Sequence, residues 1–71
     1  MFTIKYTDRD GLERLTTGSD IRVKRDGRQA KSVGWTEGYG GGLTVSFPTT
    51  VYVMNEAGAT VGKYVVLGEQ Q

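Results

Sequence analysis

Val51-Tyr52-Val53-Met54-Asn55-Glu56-Ala57-Gly58-Ala59-Thr60-Val61-Gly62-Lys63-Tyr64-Val65-Val66-Leu67 is the stretch whose reading decides the fold. Residues 51–54 and 60–67 are β-forming runs, and Asn55-Glu56-Ala57-Gly58 between them has the composition of a turn. The spacing predicts a type I turn closed by Gly58 in the left-handed region, which glycine enters without a Cβ clash. Pairing Asn55 with Ala59 sets Val53 opposite Val61 on one face. It sets Tyr52 opposite Gly62 on the other, with the ring covering the glycine's bare backbone. A chain carrying such a hairpin is expected to be built from strands.

The pattern continues upstream. Phe2, Ile4 and Tyr6 alternate with Thr3, Lys5 and Thr7, the period of a half-buried strand, and Asp8-Arg9-Asp10-Gly11 ends it in a turn. Residues 11–17 carry two signals. Asp10 with Glu13 resembles a helix capping box and Leu12 with Leu15 has helical spacing, which would make one short helical turn. Gly11 at the start and Thr16-Thr17 at the end favour instead a bulged strand over residues 12–17. Ile21 and Val23 then alternate with Arg22 and Lys24, Asp26-Gly27 turns, and residues 29–33 return. That pairing sets Val23 against Ala30, Arg22 against Lys31 and Arg25 beside Arg28. Residues 34–42 read as a glycine-rich loop carrying Trp35 and Tyr39. Leu43, Val45 and Phe47 alternate up to Pro48, which stops the strand. The expectation is an all-β fold: a small antiparallel meander of about six strands forming a barrel or roll. It makes one domain over residues 1–71, with residues 68–71 a frayed tail.

Composition narrows the ways such a chain reaches stability. Its 71 residues lie near the lower size limit for a self-sufficient core, and 37% of them are hydrophobic. With no cysteine and no histidine, neither a disulfide nor an ordinary zinc site staples it. A tightly closed sheet is the expected solution, and a homodimer that completes the core is the alternative. No run approaches the length of a membrane span and no apolar secretory segment opens the chain, so a cytoplasmic location is expected.

The same composition excludes several chemistries. A histidine base and a cysteine nucleophile are both missing. The acidic residues fall mostly in turns and on outer strand positions, where they are solvated. Asp8-Arg9-Asp10-Gly11 superficially resembles a calcium loop, but its glycine comes two positions early. Gly38-Tyr39-Gly40-Gly41-Gly42 is followed by Leu43 where a dinucleotide fingerprint requires glycine, and no Gly-Lys-Ser or Gly-Lys-Thr occurs. The chain is therefore expected to be no enzyme and to use no cofactor and no metal.

Two features point instead to binding. The first is charge: net charge is +1, yet residues 20–31 carry five cations against two acids. Arg22, Lys24, Arg25, Arg28 and Lys31 make a basic hairpin suited to an acidic protein surface or to nucleic acid, or a solvated face that protects a sheet edge. The second is aromatic: Trp35 and Tyr39 flank Glu37 among glycines. Each serves as an anchor or stacking platform if exposed, while Trp35 folded inward would plug the core.

Residues 51–61, followed by Lys63-Tyr64, resemble the ending of short bacteriophage or prophage proteins. The resemblance covers about a quarter of the chain, and it implies a setting: a small accessory protein made inside a bacterial cell. The expected function is a non-enzymatic accessory module that recognises a protein partner. Nucleic-acid binding by the basic hairpin, or a structural role in a virion, is the alternative.

Overall fold

The computed structural model describes residues 1–68. Six strands form: β1 (Phe2–Thr7), β2 (Glu13–Asp26), β3 (Gln29–Glu37), β4 (Gly42–Val45), β5 (Thr49–Met54) and β6 (Thr60–Val66), with no helix among the described residues. The order in the sheet is β2-β1-β5-β6-β3-β4, and β2 also bonds β3. The pairings therefore return on themselves in a ring through β1, β2, β3, β6 and β5. The sheet is mixed and not a meander, because β1 neighbours β5 and β6 meets β3 in parallel at Ala30 and Val66.

Three of the hairpins share one connection. Residues 8–12, 37–41 and 55–59 link the pairs Thr7–Glu13, Thr36–Gly42 and Met54–Thr60. In each, the first residue's N–H donates to the carbonyl of the fifth, and the fourth residue's N–H donates back to the carbonyl of the first. That fourth residue is Gly11, Gly40 or Gly58, at φ +82, +103 and +86. A type I turn followed by a left-handed residue requires this, and glycine adopts it at no steric cost. The turn expected at Asn55 is present with its glycine in the expected conformation. The loop expected over residues 34–42 shrinks to residues 38–41, because β3 continues through Trp35 to Glu37.

β2 corrects the reading of residues 11–17. Glu13 onward is strand, so the helical turn does not form; Leu12 stays in the turn, the ladder with β1 runs from Glu13 to Gly18 without the expected bulge, and residues 13–17 and 21–25 belong to one long element. Thr16 and Thr17 are β-branched and pair with Ile4 and Thr3, and that ladder outweighs the weak capping signal. The element bends at Asp20, whose φ of 56 is the left-handed value among non-glycine described residues. Asp20 is the extra residue of a bulge between the Ser19–Thr36 and Arg22–Gly34 pairs. Up to Gly18 the strand pairs with β1, and from Gly18 onward it pairs with β3.

Two expected registers also change. The second hairpin turns at Gly27-Arg28, one residue later than expected, since Asp26 pairs with Gln29. Gly27 has φ +65 and Arg28 a negative φ, as a two-residue turn led by glycine demands. Lys31 is bulged out, so Val23 faces Val33, Arg22 faces Gly34 and Arg25 faces Ala30. In the last hairpin Val61 is the bulged residue, which sets Tyr52 against Lys63 and Val53 against Gly62. Gly62 is covered by Tyr64 of its own strand, not by Tyr52.

The core is Ile4, Ala30, Val33, Trp35, Val45, Val51, Val53 and Val66, with Tyr6, Ile21, Val23, Leu43, Phe47 and Tyr64 packed against it. Trp35 is its largest member, 0% exposed. A Cβ on Gly18 would lie 2.5 Å from the indole Cδ1 and 3.0 Å from the Thr36 carbonyl oxygen. Glycine stands there because the indole occupies the side chain's space. Tyr6 packs on the indole with ring centroids 5.7 Å apart, and Phe47 on Tyr6 at 6.5 Å. Gly68, expected to be frayed, is buried against Pro48 and Ser46; residues 69–71 lie outside the described residues.

Candidate functional site

The five cations singled out in the sequence are all exposed, but the fold divides them. Val23 packs on the core, so Arg22 and Lys24 on either side of it lie on the outer face. Lys31 borders a small hollow of about 70 Å³ with Asp26, Gln29 and Leu67. Arg25 and Arg28 line a groove of about 330 Å³ between the tip of the β2–β3 hairpin and β6. The like-charge cross-strand pairs expected of Arg22 with Lys31 and Arg25 with Arg28 do not occur, because the turn lies one residue later and Lys31 bulges.

The groove adds residues that the local sequence did not connect to the hairpin. Its far wall is Lys63, Tyr64, Val65 and Leu67, and its near wall includes Gln29 and Ala30. What joins them is the parallel Ala30–Val66 bridge, reinforced by the Leu67 N–H donating to the Ala30 carbonyl at 3.1 Å. Contact between segments over thirty residues apart leaves no local signature. Among the described residues, Arg25, Arg28 and Lys63 form no ion pair, and the groove lining contains no acid.

Lys63 also ends a row across the outer face. The registers align Leu15, Lys5, Tyr52 and Lys63 on neighbouring strands. Lys5 Nζ lies 5.5 Å and Lys63 Nζ 5.9 Å from the centre of the Tyr52 ring, within reach of cation–π attraction. Lys5 is further held by Glu13 at 3.9 Å.

The aromatic candidates separate sharply. Trp35 presents no surface to a partner. Withdrawing roughly 200 Å² of indole at about 25 cal/mol/Å² is worth roughly 5 kcal/mol, against about 1–3 for its orphaned donor. Burial wins although Trp35 Nε1 has no hydrogen-bond partner. Tyr39 is 85% exposed on the turn between β3 and β4, and it is not part of the groove lining. Glu37 between them is buried, and its Oε2 accepts a hydrogen bond from Thr16 Oγ1 at 2.6 Å, tying β3 to β2.

Perturbed titrations lie elsewhere, at the Asp8 turn. The hydrogen bond from Arg14 Nε, with those from the Leu12 and Asp10 N–H groups, holds the Asp8 carboxyl below its ordinary range. The same contact raises Arg14 further. Burial raises the Tyr6 phenol. An acid locked onto an arginine is a structural ion pair, not a group poised to exchange protons near neutral pH. No group of three metal-ligating side chains converges among the described residues. No helix among them is long and apolar enough to cross a membrane. No family model, curated protein or solved structure matches this chain.

Proposed function

We propose that this chain is a non-catalytic binding module whose groove between the β2–β3 hairpin and β6 receives an acidic protein partner. The observation that carries this reading is the convergence of Arg25, Arg28 and Lys63 on one groove with Tyr64, Val65 and Leu67. Three cations in a lining that holds no acid favour an anion, and the apolar lining favours a ligand that also brings carbon. The ring of pairings supports reading the scaffold as a small barrel or roll, on which a hairpin tip is held rigidly. The resemblance of the last hairpin to short phage proteins suggests a setting in the bacterial cytoplasm.

The test is affinity capture from bacterial lysate with two charge-reversed variants. Arg25→Glu with Arg28→Glu alters the groove, and Arg22→Glu with Lys24→Glu alters the outer face. The expected result is a protein retained by the parent and the outer-face variant and lost by the groove variant. A parent that retains nothing, or loss confined to the outer-face variant, would overturn the reading.

One observation favours a second reading, single-stranded nucleic acid. Tyr52 lies between Lys5 and Lys63 as a stacking ring flanked by cations would. Titration with a fluorescent oligonucleotide at about 50 mM salt, where phosphate contacts are strong, separates the two.

A further inference from the structure

We propose that the acidic partner binds as an added β-strand, its backbone pairing with the free edge of β6 over residues 60–65. This deepens the reading above and rests on it. One edge of β6 is paired with β5 from Thr60 to Val66. The other edge meets β3 only at Val66, so residues 60–65 have no strand partner there among the described residues. Every second residue of a strand directs its N–H and C=O to a given edge, so that edge offers a ladder roughly 20 Å long.

The space in front of it is open. The cationic groove, of about 330 Å³, opens in front of the free edge at residues 63–65. A second groove, of about 370 Å³, shares Tyr64 with the cationic one and spans the sheet on the β5 side of β6, with Phe2, Val53, Val61 and Gly62 from β1, β5 and β6 and Asp20 and Ile21 from the bend of β2. An unpaired edge bordering a groove with apolar side chains in it fits an extended peptide better than a globular surface.

Charge selects the occupant. Arg25, Arg28 and Lys63 line the groove at the hairpin end and outnumber Asp26 beside it, while Asp20 lies at the bend of β2, so the peptide's acids belong at the hairpin end. A second copy of this chain is the poorer occupant, because antiparallel pairing of β6 with itself over residues 60–65 would set the two Lys63 residues close together near its centre. Lys63 deters such copies while leaving the edge open to an acid.

The probe is a fluorescein-labelled eight-residue peptide of alternating Glu and Val. Its controls are the same peptide N-methylated at alternate residues, a Lys/Val peptide, and a single-stranded oligonucleotide. Anisotropy gives the affinities, and amide hydrogen exchange reports on residues 60–65. The expected result is binding of the Glu/Val peptide with slowed exchange across residues 60–65. Blocking the peptide amides, or making Arg25→Glu with Arg28→Glu, should weaken it about tenfold or more. Equal binding of the methylated peptide would overturn strand addition and leave the acidic-partner reading standing. Equal binding of the Lys/Val peptide would overturn both. No peptide binding at about 1 mM, the weak limit of useful recognition, or binding of the oligonucleotide alone, would also overturn strand addition. The lysate capture decides the broader reading independently.

Discussion

The hairpins β1–β2 and β5–β6 are closed by the same turn, and each places a glycine under an aromatic ring on its returning strand. In the first, Gly18 lies beneath Trp35; in the second, Gly62 lies beneath Tyr64. The turns match closely: Asp8 Oδ1 accepts from the Asp10 and Leu12 N–H groups at 2.9 Å, and Asn55 Oδ1 from Ala57 and Ala59 at 3.0 Å. What differs is the surroundings. Trp35 is fully buried with the Thr36 backbone behind it, whereas Tyr64 is half-buried beside an open groove. Asp8 has a second oxygen gripping Arg14 at 2.6 Å, while Asn55 is neutral. Equal local chemistry thus acquires unequal energetic weight from what packs against it.

The largest separation is expected at the two covered glycines. Gly18→Ala drives a Cβ into a core ring and a backbone carbonyl, neither free to move, and overpacking of this kind costs about 2–3 kcal/mol. Gly62→Ala meets the outer atoms of Tyr64 at 3.0 Å, and the ring can swing into the groove. Its effect is expected to stay within about 1 kcal/mol, since alanine also lowers the entropy lost on ordering the strand. Urea midpoints measure both, and equal losses would break the contrast.

The turn glycines should instead behave alike. Gly11→Ala and Gly58→Ala each put a side chain at positive φ in open space, costing about 1–2 kcal/mol by backbone strain alone. A difference much larger than that between them in thermal melts would show that the turns are not equivalent. Asn55→Ala removes one acceptor serving two amides and is expected to cost about 1 kcal/mol.

The smallest effect is the most specific. Asp8→Asn should keep the turn, as Asn55 does, and lose the ion pair and hydrogen bond with Arg14, because the amide nitrogen that replaces Oδ2 cannot accept from Arg14 Nε. Because the folded-state pKa of Asp8 is depressed, its contribution is present above the ordinary aspartate value of about 4. It disappears as pH falls through the lower folded value. Urea midpoints of parent and variant should therefore differ at neutral pH and converge in acid. A gap that stays constant across that range would detach the stability from this ion pair.

The sequence made the Asn55 turn legible because everything it needs lies within five residues: a side-chain acceptor first and a glycine fourth. The same code at Asp8 and Glu37 was only partly readable. Glutamate is one methylene too long to cap its own turn, and here it reaches Thr16 instead. The bulges at Asp20, Lys31 and Val61 were invisible, since an extra residue is tolerated only where the neighbouring strand's register requires it. They explain why cross-strand partners shifted by one while the strands themselves were found. Arg25 and Arg28 were recognisable as candidates from the charge run; Lys63 was not, because only the Ala30–Val66 bridge brings it to them.

By itself the sequence determined that this chain is built from strands, that glycine ends its turns, and that cations cluster around residues 22–31. These follow from backbone sterics and local charge, which act over a few residues. Tertiary structure alone decided that Trp35 is core, that residues 13–26 are one bent strand, and that three cations face a groove beside an open edge. Those outcomes depend on which distant segments meet, and the free energy of burial and pairing is settled only when they do.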